Sequence, residues 1–364
     1  MLTNCERVRY QRHLNLKEVG ETGQMRLKSS SIAIVGAGGL AHPTCSYLAA
    51  AGIGRISLID DDIVQLSNLQ RQYLFSEGNI GEPKTHALSR AISNINPAVE
   101  VTQYNSKLVP TNALKLLKGH DIVIDCTDNF SARYLASNTA LELGVPLVHG
   151  SIHKFEGQLA VFEPEGPCYT CLYPNPPHIT LPTCSEDGVL GALPGIIGTL
   201  QAMEAIKAIL KIGTSTSGRL TVYDALQLKF REFTFKKERD CSACGKGKQS
   251  KQRLKNKTDQ PIIREVNWET IPDDDNNKSW KVIDIRKPEE MLKGFDRRSQ
   301  NIPLSQILSN KHKLCKNQKL YLYCQTGQRS IEACKALFNQ GFNQVYSIKG
   351  GLNRANNLCH QKIN

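Results

Sequence analysis

The chain lacks the features by which membrane and exported proteins are identified. No apolar run among its 364 residues is long enough to span a bilayer, and residues 1–13 contain no apolar segment of the kind found in secretory signals. These absences predict a cytoplasmic protein without a membrane partner.

The basic run at residues 245–257 lacks aromatic side chains. The formal net charge of +12 is compatible with nucleic acid, and much of it lies in this run. Because no aromatic residue is interleaved there to stack on bases, we interpret residues 246–260 as a solvated basic linker and do not expect a nucleic-acid partner. An RNA-binding tail is the lesser alternative.

Two CxxC pairs stand out among the twelve cysteines. In a chain without an export signal, cysteines favour metal ligation or thiol chemistry over a disulfide framework. Cys168 with Cys171 and Cys241 with Cys244 match a tetrahedral structural Zn²⁺ site, to which each pair supplies two thiolates. A redox pair is the alternative, and it is disfavoured because neither stretch predicts the helix N-terminus that a reactive CxxC needs.

Residues 31–60 predict a strand, a glycine turn, a helix and a second strand that ends in an acid. Gly36 permits the sharp turn, Gly38 lets the backbone approach a phosphate, and Gly39 continues the cradle. The helix N-terminus then faces the anion, and Asp60 can accept a hydrogen bond from a ribose hydroxyl. The pattern indicates a nucleotide site; a tight turn without a ligand is the alternative.

The polar residues that follow favour a triphosphate. Asn68, Arg71, Gln72 and Lys84 come shortly after the predicted ribose position. A dinucleotide already resting on a helix terminus seldom needs so much added positive charge, whereas a triphosphate does. Asp128 ends another buried strand and is placed to bind Mg²⁺ near the same crevice.

Helix and strand patterns alternate between residues 84 and 149, which predicts a doubly wound, Rossmann-like α/β sheet. The predicted helices are 84–95, 112–118 and 131–143, and the predicted strands are 99–103, 122–126 and 145–149. We also predict an amphipathic helix over 5–28 and another over 194–212, and an irregular, non-helical stretch over 166–177.

A second, smaller α/β domain is predicted over residues 261–364, with strands at 262–266, 282–285 and 320–323. The third strand ends at Cys324, and a helical pattern begins near Arg329. A thiol at a strand end, before a tight loop and a helix, lies among converging amides and the positive end of a helix dipole. That setting favours a thiolate and binding of an anion.

Ten stretches occur in order within residues 1–245: RYQRH (9–13), GAGGLA (36–41), LIDDDIVQLSNLQRQ (58–72), GEPK (81–84), CTDNFSARY (126–134), GSIHKFEGQLAVF (150–162), GPCYTCLYP (166–174), CSEDGVLG (184–191), GTLQAMEAIK (198–207) and CSAC (241–244). Together they resemble the MoeB/ThiF family, bacterial relatives of ubiquitin-activating enzymes. One departure is Ala41, His42 and Pro43, where the family usually has glycine, serine and proline.

This resemblance implies an ATP-dependent adenylation domain over residues 1–245. Its implied substrate is a ubiquitin-like sulfur-carrier protein with a C-terminal Gly-Gly. The resemblance also implies that Arg12 reaches the ATP phosphates from the partner subunit of a homodimer. It implies further that Cys184 is acylated by, or bonded through sulfur to, the carrier C-terminus. A spectator thiol at Cys184 is the alternative, because related enzymes differ in needing it.

Four stretches of the second domain resemble the rhodanese family: VIDIRKPEE (282–290), NIPL (301–304), CQTGQRS (324–330) and YSIKGGLNR (346–354). Cys324 matches the family's persulfide-carrying cysteine. The four residues between Cys324 and Arg329 make a smaller cradle than the phosphatase loop, one that suits sulfur. A domain that only binds anions is the alternative.

The two resemblances together imply one reaction sequence. The carrier carboxylate attacks the α-phosphorus of ATP, with Arg71 and Asp128 as catalytic residues. The acyl adenylate then meets persulfide sulfur from Cys324, directly or through Cys184, and becomes a thiocarboxylate. The sulfur donor is a cysteine desulfurase or thiosulfate, and the pathway stays open among molybdenum-cofactor, thiamine, cysteine and tRNA-thiolation types.

Two alternatives come from other functional classes. An NAD-dependent dehydrogenase would explain the glycines and Asp60, but it leaves Arg71, Lys84 and the paired cysteines without a purpose. A non-catalytic scaffold would only bind a carrier or RNA.

Overall fold

A computed structural model describes residues 1–175, 188–245, 263–272, 279–294 and 296–354. The chain divides into two compact units, Met1–Thr258 and Asp259–Asn364, each with its own sheet.

In the described part of the first unit, the helices are α1 (Asn4–Arg9), α2 (Gln11–Leu14), α3 (Gly20–Ser29), α4 (Ala41–Ala51), α5 (Lys84–Ile95), α6 (Ala113–Leu117), α7 (Phe130–Leu143), α8 (Tyr169–Leu172) and α9 (Ala192–Leu210). The strands are β1 (Ser31–Val35), β2 (Arg55–Ile59), β3 (Glu100–Tyr104), β4 (Ile122–Asp125), β5 (Leu147–His153), β6 (Glu156–Phe162), β7 (Arg219–Asp224) and β8 (Lys229–Thr234). Short 3₁₀ helices cover Leu66–Asn68 and Glu77–Asn79.

The eight strands form one sheet in the order β3-β2-β1-β4-β5-β6-β7-β8. Strands β1 to β5 pair in parallel, and β6, β7 and β8 add in antiparallel fashion. The order reverses between β1 and β4, where Val35 pairs with Asp125. In such sheets a ligand binds in the crevice at the carboxyl ends of the strands beside this reversal.

Both faces of the sheet are covered. Strand β1 is buried at every position. Ile32 and Ile34 belong to a core cluster that includes α4 and α9, and Ala33 and Val35 belong to a second cluster on the opposite face. This alternation confirms the doubly wound sheet that the apolar strand patterns predicted.

Helix α9 differs from our expectation that no apolar stretch could cross a bilayer. By length and hydropathy Ala192–Leu210 passes that test, and 44% of its most apolar window is buried. The helix packs against α4, β5 and β6. A core helix of this kind has the same composition as a membrane span because it too is surrounded by apolar side chains.

The second unit has a five-stranded parallel sheet in the order β11-β10-β12-β13-β9. Its strands are β9 (Arg264–Val266), β10 (Trp280–Asp284), β11 (Ser299–Asn301), β12 (Lys319–Tyr323) and β13 (Val345–Ile348). Its described helices are α10 (Leu304–Leu308) and α11 (Gln328–Asn339), with 3₁₀ helices at Trp268–Thr270 and Pro288–Lys293. The central strand β12 leads directly into Cys324.

Two of the predicted elements were wrong and one was confirmed at both ends. The structure has three helices where one was predicted over 5–28, because Tyr10 leaves the helical conformation and Gly20 adopts a φ of +54°. Tyr10 is instead buried, and its hydroxyl accepts a hydrogen bond from Asn96 Nδ2 at 2.8 Å. The stretch 166–177, predicted irregular, contains the single turn α8. The helix predicted over 84–95 matches α5.

Candidate active site

The glycine turn between β1 and α4 requires glycine at its first position. Gly36 has a φ of +93°, and a Cβ placed there would lie 2.8 Å from the carbonyl oxygen of Cys126. Its N–H donates to the Ile59 carbonyl oxygen at 2.9 Å. The turn therefore contacts the carboxyl ends of the two strands that flank β1, which are β2 and β4. Only glycine permits both the positive φ and the close approach to the Cys126 carbonyl.

Asp60 closes the other side of this turn. Its carboxylate accepts hydrogen bonds from the N–H groups of Ala37 and Asp62, both at 2.7 Å. Burial raises the pKa of Asp60 above its usual value, against the effect of these two donors. A carboxylate has about four acceptor sites, so two bonds to backbone leave capacity for a ribose hydroxyl.

Residues 66–75, which we name the nucleotide segment, pack on the next two glycines. An ideal Cβ at Gly38 would lie 4.0 Å from Gln72 Nε2, its nearest neighbour, and one at Gly39 would lie 3.4 Å from Arg71 Cγ. Arg71 Nη1 donates to the Ser67 carbonyl oxygen at 3.1 Å. The structure thus brings Arg71 and Gln72 to the glycine turn, as the spacing predicted, and leaves open space over Gly38.

The other two predicted phosphate ligands are tied to neighbours. Asn68 is buried, and its Oδ1 accepts from the Gln65 N–H at 3.1 Å. Lys84 is buried at the start of α5, and its Nζ lies 2.5 Å from Asp62 Oδ2. The ammonium has three donors. It can therefore contact a phosphate without losing the ion pair.

Asp128 lies at the carboxyl end of β4, beside the glycine turn. Its side chain is exposed, and Oδ1 accepts a long hydrogen bond from Asn129 Nδ2 at 3.4 Å. The carbonyl of Cys126, two residues earlier, is the group that contacts Gly36. An exposed carboxylate at this edge has the oxygen ligands that Mg²⁺ prefers.

A buried pair supports this loop and was missed by sequence reasoning. Asp125 Oδ2 accepts from His149 Nδ1 at 2.7 Å, and Oδ1 accepts from the N–H and hydroxyl of Thr127 at 3.0 and 2.7 Å. Burial lowers the pKa of His149, so its ring is neutral and donates to the Asp125 carboxylate. An acidic residue inside an apolar strand signals such a partner, because a buried charge is otherwise costly.

Arg12 stands apart from these residues. It is exposed on α2, which packs against α3. Among the described residues, no hydrogen bond or ion pair joins Arg12 to the glycine turn. Its role stays a prediction about a second copy of the chain.

The four predicted zinc ligands converge. The Sγ atoms of Cys168, Cys171, Cys241 and Cys244 all lie within 4.8 Å of one another. The pairs 168–171, 168–241 and 171–244 are 3.8, 3.6 and 3.4 Å apart. Four sulfurs bound at about 2.3 Å to one Zn²⁺ would be about 3.8 Å apart, so the cluster fits a structural zinc site.

The structure also corrects our argument against a redox pair. Cys168 precedes α8, and both Cys171 and Leu172 donate their N–H groups to its carbonyl oxygen. A helix N-terminus is therefore present, although α8 has only one turn. A redox pair is instead disfavoured because Cys241 and Cys244 lie next to Cys168 and Cys171, and four thiols together match the ligand set of a structural metal.

The thiol of Cys324 is buried between β12 and α11. Gly327 N–H donates to Sγ at 3.1 Å, and Gly327 has a φ of +92°. A Cβ at Gly351 would lie 2.3 Å from the Cys324 carbonyl oxygen, so a glycine turn also encloses the loop from the other side. The structure thus directs an amide donor at the Cys324 sulfur from the residue that precedes α11.

Arg329, which follows this loop at the start of α11, forms an ion pair with Glu290. Both of its terminal nitrogens donate to the carboxylate of Glu290, at 2.9 and 2.7 Å. This pairing lowers the pKa of Glu290 to about 2, although burial opposes the shift. Arg286 is held in the same way by Asp284, and its Nη1 donates to Gln325 Oε1 at 2.9 Å. Sequence reasoning missed Glu290 as the partner of Arg329, because these residues lie 39 positions apart and leave no local pattern. It also missed the pairing of Arg286 with Asp284, which lies only two residues before it.

Cys184 and the predicted linker 246–260 lie outside the described residues.

Family models match both units. The ThiF family model matches residues 10–244, and the Rhodanese-like domain model matches residues 269–357. The chain belongs to the ThiF family. Its rhodanese-like domain follows the ThiF domain in the same chain.

ThiF-family relatives match the chain over one or both units. A probable adenylyltransferase/sulfurtransferase MoeZ from Mycobacterium tuberculosis is 38% identical over 371 residues, 96% of this chain and 93% of the relative. A sulfur carrier protein adenylyltransferase from Thermus thermophilus is 44% identical over 250 residues, 67% of this chain and 92% of the relative. The first relative thus has the same two-domain arrangement.

Solved structures show the fold of the ThiF domain. The crystal structure of Escherichia coli MccB with ATP has a TM-score of 0.56 and 21% identity, and the match covers 64% of this chain and 76% of that chain. This likeness supports the Rossmann-like adenylation fold.

Proposed function

We propose that this ThiF-family chain adenylates the C-terminal Gly-Gly carboxylate of a ubiquitin-like sulfur-carrier protein and then converts it to a thiocarboxylate. The observation that carries the proposal is the presence of two complementary sites in one chain. One is an open glycine turn with Arg71, Gln72 and Lys84 around it, and the other is a buried thiol with an amide donor at a helix N-terminus. The names of relatives that match one or both units support the same pair of activities.

Adenylation supplies the leaving group that a carboxylate lacks. A carrier carboxylate oxygen attacks the α-phosphorus of ATP, the bond to the β-phosphate oxygen breaks, and pyrophosphate leaves. Gly36, Gly38 and Gly39 cradle the phosphates, Asp60 accepts from the ribose, and Asn68, Arg71, Gln72 and Lys84 hold the triphosphate charge. Asp128 would hold Mg²⁺, which neutralises phosphate charge when it is bound.

Sulfur transfer follows at the acyl adenylate. The outer sulfur of a persulfide on Cys324 attacks the acyl carbon, and AMP leaves. A second thiol attacks the inner sulfur, which releases the carrier thiocarboxylate and forms a disulfide. In the route through Cys184, the Cys184 thiolate first takes the outer sulfur from the Cys324 persulfide, which returns Cys324 to its thiol, and the new persulfide then attacks the acyl carbon. Arg329 and its partner Glu290 lie beside the loop that carries the persulfide.

Further parts of the proposal concern assembly. Adenylation takes place in residues 1–245 and sulfur transfer in 261–364, with 246–260 as the linker. Arg12 completes the nucleotide site of the partner subunit in a homodimer, and structural Zn²⁺ binds the cysteine cluster.

The sulfur donor is a cysteine desulfurase or thiosulfate, and the protein acts in the cytoplasm.

The test is ATP–pyrophosphate exchange with a Gly-Gly carrier, comparing wild type with Asp128→Ala. We expect exchange in wild type and a loss of at least about 100-fold in the variant, because the metal-binding carboxylate is gone. Glu142→Ala is the control, since this exposed carboxylate lies on the far turn of the helix that follows Asp128. No exchange in wild type together with NAD binding would contradict the proposal, and full activity of Asp128→Ala would remove that residue from it.

A further inference from the structure

His42 occupies a buried position next to the glycine turn. It is the second residue of α4 and has no exposed surface. Its Nδ1 accepts a hydrogen bond from the Leu74 N–H at 3.0 Å. Because a backbone N–H can only donate, Nδ1 carries the lone pair and the neutral ring carries its proton on Nε2.

The ring also packs against the residues on either side of Leu74. His42 meets Phe75 edge to face with ring centroids 4.4 Å apart, and meets Tyr73 at 5.7 Å. Ser46 adds a contact one turn along α4, because its hydroxyl donates to the His42 carbonyl and lies 3.3 Å from the Tyr73 hydroxyl. Two hydrogen bonds and two ring contacts therefore join α4 to residues 73–75.

Residues 73–75 are the end of the nucleotide segment. Three residues before Leu74, Arg71 packs on Gly39, and Gln72 is the nearest neighbour of the space over Gly38. Gln72 is 2% exposed, and its Oε1 has no hydrogen-bond partner among the described residues. A buried acceptor without a partner is costly, so Oε1 needs a donor such as water or a ligand hydroxyl. The amide nitrogen Nε2, which faces Gly38, is the atom that can donate to a phosphate.

We propose that His42 is a positioning residue that latches the nucleotide segment to the glycine turn, so that Arg71 and Gln72 already face the phosphate position before ATP binds. The inference rests on the proposed adenylation. Holding binding groups in place beforehand lowers the cost of ordering them when the ligand arrives.

The protonation state of His42 agrees with this geometry. Burial, and the nearby charge of Lys84, lower the pKa of His42 to about 3. The ring thus remains a neutral acceptor for Leu74 at neutral pH.

Two substitutions separate the acceptor from the ring. His42→Leu removes the acceptor and keeps apolar volume, whereas His42→Asn places Oδ1 where Nδ1 stands and removes the rest of the ring. We expect His42→Leu to raise the KM for ATP on the order of tenfold in the exchange assay, with kcat within about twofold, the size of one lost hydrogen bond. His42→Asn should recover most of that loss.

Amide hydrogen exchange at Leu74 gives a readout that does not depend on activity. It should be faster in His42→Leu than in wild type and slow again in His42→Asn. Ser46→Ala is the control, because it removes a neighbouring bond and leaves the Leu74 bond in place. Unchanged Leu74 exchange in His42→Leu, or equal KM values for the Leu and Asn variants, would overturn the latch. Absence of pyrophosphate exchange in wild type would overturn the proposed function, while Leu74 exchange would still decide whether the latch exists.

Discussion

Cys324 is held by two backbone N–H groups, one at its sulfur and one at its carbonyl oxygen. Its thiol is fully buried and receives the Gly327 N–H, and its carbonyl oxygen accepts from Leu352 N at 2.9 Å. Two guanidinium groups near the loop are already paired with carboxylates, Arg286 with Asp284 and Arg329 with Glu290. Hydrogen bonds and ion pairs from neighbouring elements thus surround the loop, which suits a site that must hold one reactive atom in place.

Replacing Cys324 should separate the two proposed reactions. Cys324→Ala removes the sulfur that would carry the persulfide, so we expect thiocarboxylate formation to fall below detection while carrier adenylation stays within about twofold. Mass spectrometry of the carrier and pyrophosphate exchange measure the two steps. Cys315→Ala is the matched control, because this cysteine is exposed. Undiminished thiocarboxylate formation by Cys324→Ala would show that another residue carries the sulfur.

The strand–turn–helix element from β1 to α4 uses its glycines for different reasons. Gly36 has a positive φ and a close approach to Cys126, so glycine at this position contributes to the stability of the fold. Gly38 has nothing nearer to an added Cβ than Gln72 Nε2 at 4.0 Å, so the fold itself tolerates a side chain there. What Gly38 leaves open is the space into which a phosphate would fit.

Because the two glycines serve different purposes, replacement by alanine should affect stability at Gly36 and ATP binding at Gly38. Gly36→Ala should destabilise the first unit by roughly 1–3 kcal/mol, through backbone strain and the contact with the Cys126 carbonyl. Gly38→Ala should leave stability within about 0.5 kcal/mol but weaken ATP binding, because its methyl group fills the cradle. Denaturant unfolding and nucleotide titration measure the two quantities. Equal stability loss in both variants would contradict the assignment.

The whole chain is built from two units with separate cores, and within the first unit the cysteine cluster joins distant segments. Cys168 and Cys241 are 73 residues apart in sequence and 3.6 Å apart at sulfur. The pair 241–244 follows β8, the exposed edge of the sheet, whereas 168–171 follows β6. A metal at the cluster would fasten the end of the ThiF domain to its sheet.

Removal of the metal should therefore unfold one unit before the other. Wild type should contain about one Zn²⁺ per chain, and chelation should lower the unfolding temperature of the first unit while the transition of the rhodanese-like unit stays in place. Metal analysis and calorimetry give both results. Cys241→Ser should reproduce the effect of chelation, and Cys5→Ser, at an exposed cysteine, should not. A chain that retains its stability without Zn²⁺ would contradict a structural role.

The sequence by itself determined the fold class, the glycine turn and the pairing of the cysteines. These features depend on local patterns: apolar runs buried on both faces predict parallel strands, glycine marks a positive φ, and CxxC spacing brings two thiols to one metal. Helix Lys84–Ile95 could be placed to the residue for the same reason. The roles of Arg12 and Cys184 rest on family resemblance alone.

Only the tertiary structure decided which partner each polar group has. The bonds from His42 to Leu74, from Asp125 to His149 and from Arg329 to Glu290 join residues 24 to 39 positions apart, across separate elements. No local periodicity encodes such pairs, because they arise when packing brings two elements together and excludes water between them. The break in the predicted N-terminal helix has the same cause, since burial of Tyr10 against Asn96 outweighs the helical pattern of the segment.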